Sequence, residues 1–102
     1  MNHAAAPTAR DLEAALLQRC AAVVQGQTAP AADQREANVF RLAAMLVRPR
    51  FPAASAQLWQ ASERYFATHP GDRLEAAELV RRGWVLGLPR WRDLLDQQLG
   101  RG

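Results

Sequence analysis

The chain has 102 residues with 13 basic and 10 acidic side chains and a formal net charge of +3, which fits a single domain spanning 1–102. Its one cysteine, Cys20, excludes an intramolecular disulfide and supplies no zinc framework, and no apolar run approaches the ~20 residues that span a bilayer. The opening residues MNHAAAPTAR lack the basic start and apolar stretch of a secretory signal, so the expectation is a soluble, cytoplasmic protein.

Composition sets the fold class. There are 21 Ala and 13 Leu against 6 Val, 3 Thr and no Ile. Few β-branched residues remain to build strands, whereas Ala, Leu, Arg, Gln and Glu lose little on entering a helix. The predicted fold is all-α. Every basic residue is arginine, whose planar fork suits carboxylates and phosphates. The same Lys-free, Ala- and Arg-rich composition also follows from codon bias in a GC-rich, bacterial genome.

Residues 1–7 read as a flexible leader. Thr8 and Asp11 then resemble a capping box, and Leu12, Leu16, Cys20 and Val23/Val24 recur at helical spacing up to a stop near Gly26. The segment GQTAPAAD is a polar connector. A second helix is predicted over 33–48, with Val39, Phe40, Ala43, Leu46 and Val47 facing inward and Pro49 ending it. Pro52 opens a third helix, because the first turn tolerates its missing N–H. Leu58, Trp59, Ala61, Tyr65 and Phe66 form its expected apolar face.

The turn His69-Pro70-Gly71-Asp72 precedes a fourth helix, for which Asp72 and Glu75 resemble an acidic capping box. Leu74, Ala77, Val80, Trp84 and Val85 line its predicted buried side, with Gly87 as terminator. Pro89 restarts the chain in a fifth helix striped by Trp91, Leu94/Leu95 and Leu99 and ended by Gly100. Five helices with short connections imply antiparallel neighbours.

An internal echo accompanies these elements. Residues 39–51, VFRLAAMLVRPRF, lie over residues 79–91, LVRRGWVLGLPRW, at an offset of forty. Arg41 meets Arg81, Leu46 meets Leu86, Pro49 meets Pro89, Arg50 meets Arg90 and Phe51 meets Trp91. Each copy is a helix, a Pro-Arg-aromatic corner and a second helix. The arrangement resembles the αα-hairpins of tetratricopeptide-like helical repeats, over about 33–99, with a longer period than that family's roughly thirty-four residues. The resemblance implies two stacked hairpins, 33–69 and 72–99, behind an N-terminal helix, and a groove that binds partner peptides. No binding residue carries over, because the family's signature positions are not matched.

The residues themselves nominate a site at the corners. Arg50, Arg90 and Arg92 lie at helix starts, where a cation is unfavourable unless an anion or a neighbouring helix C-terminus balances it. Two readings stand: the corners bind a carboxylate or phosphate, or their charges cancel locally. Trp84 and Trp91 are either core or, beside arginine, anchors for a partner. The candidate partner-binding set is therefore Arg50, Phe51, Trp84, Arg90, Trp91 and Arg92. If Arg50 and Arg90 are exposed neighbours, replacing both by Ala is expected to leave the fold intact.

Catalysis has no support in the sequence. Ser55 and Ser62 have no histidine at helical spacing, and Cys20 falls on an inward face. His3 and His69 stand alone, so no metal and no cofactor is expected. The leading expectation is a small helical protein–protein interaction module, an adaptor or chaperone holding an amphipathic segment. A nucleic-acid-binding regulator using Arg50, Arg81, Arg82, Arg90 and Arg92 is the alternative, with only weak, non-specific binding expected. A structural homodimeric bundle is the third.

Overall fold

The structure, a computed structural model, describes residues 6–27 and 30–101. Most of the leader expected at 1–7, His3 and part of the connector after Gly26 lie outside the described residues. Five helices follow in chain order: α1 (Ala9–Val24), α2 (Gln34–Val47), α3 (Pro52–Phe66), α4 (Ala76–Arg81) and α5 (Leu88–Gly100), with a short 3-10 turn at Pro70–Asp72. No strand is present among the described residues, and the domain is all-α.

Local chemistry sets most of the boundaries. The Thr8 hydroxyl accepts from the Asp11 N–H and the Asp11 carboxylate accepts from the Thr8 N–H, forming the capping box at α1. Asp33 caps α2 by accepting from the Glu36 N–H at 2.9 Å. Pro52 stands at the first position of α3. At the end of α1, Gln27 N–H reaches the Ala22 carbonyl and Gly26 N–H the Val23 carbonyl, with Gly26 at φ +97°. This left-handed cap favours a residue without Cβ.

The fourth helix departs from the reading of the sequence. Asp72 does not cap it; Glu75 stands at the N-cap position without a side-chain bond, and the helix lasts only six residues. Its terminator is Gly83, at φ +74°, not Gly87. Trp84 N–H returns to the Leu79 carbonyl and Gly83 N–H to the Val80 carbonyl, again the paired bonds of a left-handed cap. Trp84 and Val85 consequently lie in the connection to α5, where Val85 is still fully buried.

Asp72 instead helps clasp the turn onto α2. Asn38, 2% exposed, donates through Nδ2 to the carbonyls of Gln34 and Asp72 and accepts through Oδ1 from the Leu74 N–H. The Tyr65 hydroxyl donates to the Asp72 carboxylate at 2.9 Å. Desolvation, followed by that carboxylate, pushes the phenol above its ordinary pKa. These bonds tie three sequence-distant segments through side chains whose partners no periodicity names.

Helix α2 is the hub. It pairs with α3 across the Pro49–Phe51 corner and also meets α1, α4 and α5. Val39, Phe40, Ala43 and Val47 of α2 form one core with Leu16, Cys20, Leu58, Phe66, Leu79, Trp91 and Leu95. Burial pushes the Cys20 thiol up to about 12, as expected of a small buried hydrophobe. In the second half, α5 packs mainly on α1 and α2.

Candidate functional site

The corner arginines each lie beside a carboxylate, and Arg50 and Arg92 are brought to the same one. Arg50 Nε lies 3.0 Å from the Asp96 carboxylate on α5, and its Nη2 donates to the Leu46 carbonyl near the end of α2. Arg90 Nη2 lies 2.9 Å from Oε1 of Glu13 on α1. Arg92 Nε is 4.0 Å from Asp96. Arg50 and Arg90 thus have carboxylates from other helices, α5 and α1, whereas Arg92 meets Asp96 one turn along its own helix, so the corner charges cancel locally. Arg81 and Arg82 share Glu78, whose pKa is lowered by hydrogen bonds from both.

The aromatic members of that set lie inward. Trp91 is 1% exposed and belongs to the core, because α5 turns this face onto the rest of the bundle. An indole so enclosed presents no surface to a partner. Phe51 and Trp84 are half-buried against the same core, and the Arg82 guanidinium covers the Trp84 ring at 5.1 Å. Glu13, unnoticed in the sequence, is the buried member of the Arg90 pair, while Leu12, expected inward, is one of the exposed large apolar residues.

A groove on the outer side of the α2–α3 hairpin has a different make-up. Its cavity is about 400 Å³ and is lined by Ala44, Met45, Arg48, Pro52, Ser55, Ala56, Trp59 and Gln60. On α2, Arg41, Met45 and Arg48 recur at four and three residues, and on α3, Pro52, Ala56 and Trp59 do the same. Such spacing lays each set along one helix face. Met45 is 46% exposed and Trp59 38% exposed.

Small residues make the groove possible. Ala44, Ser55 and Ala56 leave room between the helices, and the Ser55 hydroxyl donates to the Ala44 carbonyl at 2.6 Å. That bond pins α3 to α2 at the floor of the groove. The Arg41 guanidinium lies over the Trp59 ring at 5.5 Å, while its Nε is buried without a hydrogen-bond partner among the described residues. Arg48, exposed at the end of α2, has no ion pair or hydrogen bond among the described residues. No carboxylate lines the cavity.

None of these groove residues belongs to the site expected from the sequence: its periodicity puts Trp59 on the inward face of α3, and Arg41 and Met45 figure only in the echo. A usable signal existed: one apolar side chain between two arginines, at four- and three-residue steps, describes an outward stripe.

The remaining chemistry is sparse. His69 Nδ1 lies near the Tyr65 carbonyl and the Thr68 hydroxyl, and its ring stacks on Tyr65 at 4.1 Å. Among the described residues no cluster of three or more His, Cys, Asp or Glu is placed to hold a metal ion. No helix there is long and apolar enough to cross a membrane. No protein-family model matches the chain, and no curated protein or solved structure matches it either.

Proposed function

We propose that this chain is a small protein–protein interaction module, an adaptor or chaperone of cytoplasmic location, whose α2–α3 groove holds the apolar face of an amphipathic partner helix. One observation carries the reading: two exposed large hydrophobic residues, Met45 and Trp59, line the same 400 Å³ groove. Scattered apolar residues are normal on a protein surface, whereas a concave apolar site with convergent polar groups is where ligands seat. Helix-in-groove docking seats the apolar face of a partner helix in a groove, and this groove runs between two helices with an apolar residue on each wall. An aromatic wall and an arginine rim are the residue types enriched where binding energy concentrates.

The paired state of Arg50, Arg81, Arg82, Arg90 and Arg92 favours this reading over a nucleic-acid regulator. Those arginines have carboxylate neighbours within 4.0 Å, which reduces the charge left for phosphates. The test is a nuclear magnetic resonance titration of the full chain with a designed amphipathic helix bearing a leucine face. Shifts should concentrate at the Met45 methyl and the Trp59 indole, and Trp59→Ser should weaken binding at least tenfold while the chain stays folded. Shifts confined to other surfaces, or undiminished binding by Trp59→Ser, refute the proposal.

A further inference from the structure

We infer that the groove selects an acidic amphipathic helix, one that seats an apolar side chain between Met45 and Trp59 and sets carboxylates about two turns apart on Arg41 and Arg48. This rests on the docking function proposed above and adds the chemistry of the partner. Arg41 and Arg48 are seven residues apart on one face of α2, which separates their positions by about 10 Å along the axis. A partner helix with acidic residues at the same interval matches them without distortion.

Three further observations point the same way. The cavity has no carboxylate in its lining, and neither Arg48 on its rim nor Arg41 beside it has an ion pair among the described residues. Arg41 Nε is buried yet unpartnered among the described residues, and a buried donor without an acceptor is costly until something supplies one. Stacking of Arg41 on Trp59 holds its guanidinium beside the apolar seat, ready for a charge-assisted bond at the groove edge.

The competing occupants fit less well. A second copy docking by this same face would bring the arginine stripe against itself, and like charges across an interface are repulsive. A nucleic acid would gain phosphate contacts from two arginines but would meet Met45 and Ala56 as apolar walls. The Trp59 ring is moreover already covered on one side by Arg41, which reduces the surface for base stacking.

The experiment compares three designed peptides of equal helicity with the same leucine face. Their flanking positions, seven residues apart, carry Glu, Gln or Lys. Binding to the full chain is measured by chemical-shift titration at low and physiological salt, with a thymidine oligonucleotide as a fourth probe. The Glu peptide should bind at least tenfold tighter than the Gln peptide, and the Lys peptide weakest. The combined variant Arg41→Gln/Arg48→Gln should abolish the difference between Glu and Gln peptides, and salt should narrow it in the parent. Equal binding of Glu and Gln peptides at the groove overturns the acidic partner and leaves the docking function standing. No binding by any peptide, or shifts elsewhere, overturns both. Tighter binding of the Lys peptide, or of the oligonucleotide on these same residues, also overturns the inference.

Discussion

Arg50 and Arg90 occupy matching positions in the sequence echo, yet their replacement by Ala is expected to have unequal consequences. Glu13, the partner of Arg90, has a side chain only 4% exposed, and its Oε2 makes no hydrogen bond among the described residues. Removing the Arg90 guanidinium leaves a carboxylate inside the protein without its cation. A charge-assisted bond contributes about 1.5–3 kcal/mol, and stripping one partner from a fully buried pair costs about 3–5 kcal/mol. Arg90 is itself 43% exposed, so water moderates the loss and the lower range applies. Arg90→Ala should therefore destabilise by about 2–3 kcal/mol, a fall in Tm on the order of 10–20 °C for a domain of this size.

Arg50→Ala should cost ~1 kcal/mol or less, because Asp96 is more open and still has Arg92 at 4.0 Å. Urea unfolding followed by far-ultraviolet circular dichroism measures both changes, with the slope m checked for constancy. The double variant Glu13→Leu/Arg90→Ala should recover most of the Arg90→Ala loss, since it removes the stranded charge. Equal losses for Arg50→Ala and Arg90→Ala, or no recovery in the double variant, would refute the reasoning. The burial of Glu13 therefore sets a different expectation from the sequence alone, under which the two arginines are replaceable together without cost to the fold.

Asn38→Leu should destabilise by about 2–4 kcal/mol, because the bonds to the Asp72 carbonyl and the Leu74 N–H are lost together and the Leu74 donor loses its acceptor; chemical denaturation and faster hydrogen exchange at Leu74 check this. Cys20 should resist alkylation at pH 8 in the folded chain and react at an ordinary thiol rate after denaturation, as a timed iodoacetamide assay reads. Its folded pKa of about 12 exceeds the ordinary thiol value of 9.0, so at pH values between them the folded thiol retains a proton that the unfolded one sheds. This contribution to stability is present below about pH 9 and declines as pH rises toward 12, a trend that Cys20→Ala should remove.

Helix content and the main caps were legible in the sequence because they depend on neighbours along the chain. Thr8 with Asp11, and Pro52 at a helix start, act within three or four residues. The absence of isoleucine and the abundance of alanine needed no tertiary information to indicate helices. Periodicity likewise placed Leu16, Cys20, Phe40, Leu58, Trp91 and Leu95 inside. Only the tertiary structure could decide which polar groups meet. Glu13 and Arg90 are seventy-seven positions apart, and Asn38 and Leu74 thirty-six. Their pairing follows from how α1, α2 and α5 pack, not from any local preference. The same packing turned Trp59 outward and Trp91 inward, although both lie beside leucines at helical spacing. A helix face becomes core or groove according to whether another helix covers it, and among the described residues no other helix occupies the space between Met45 and Trp59.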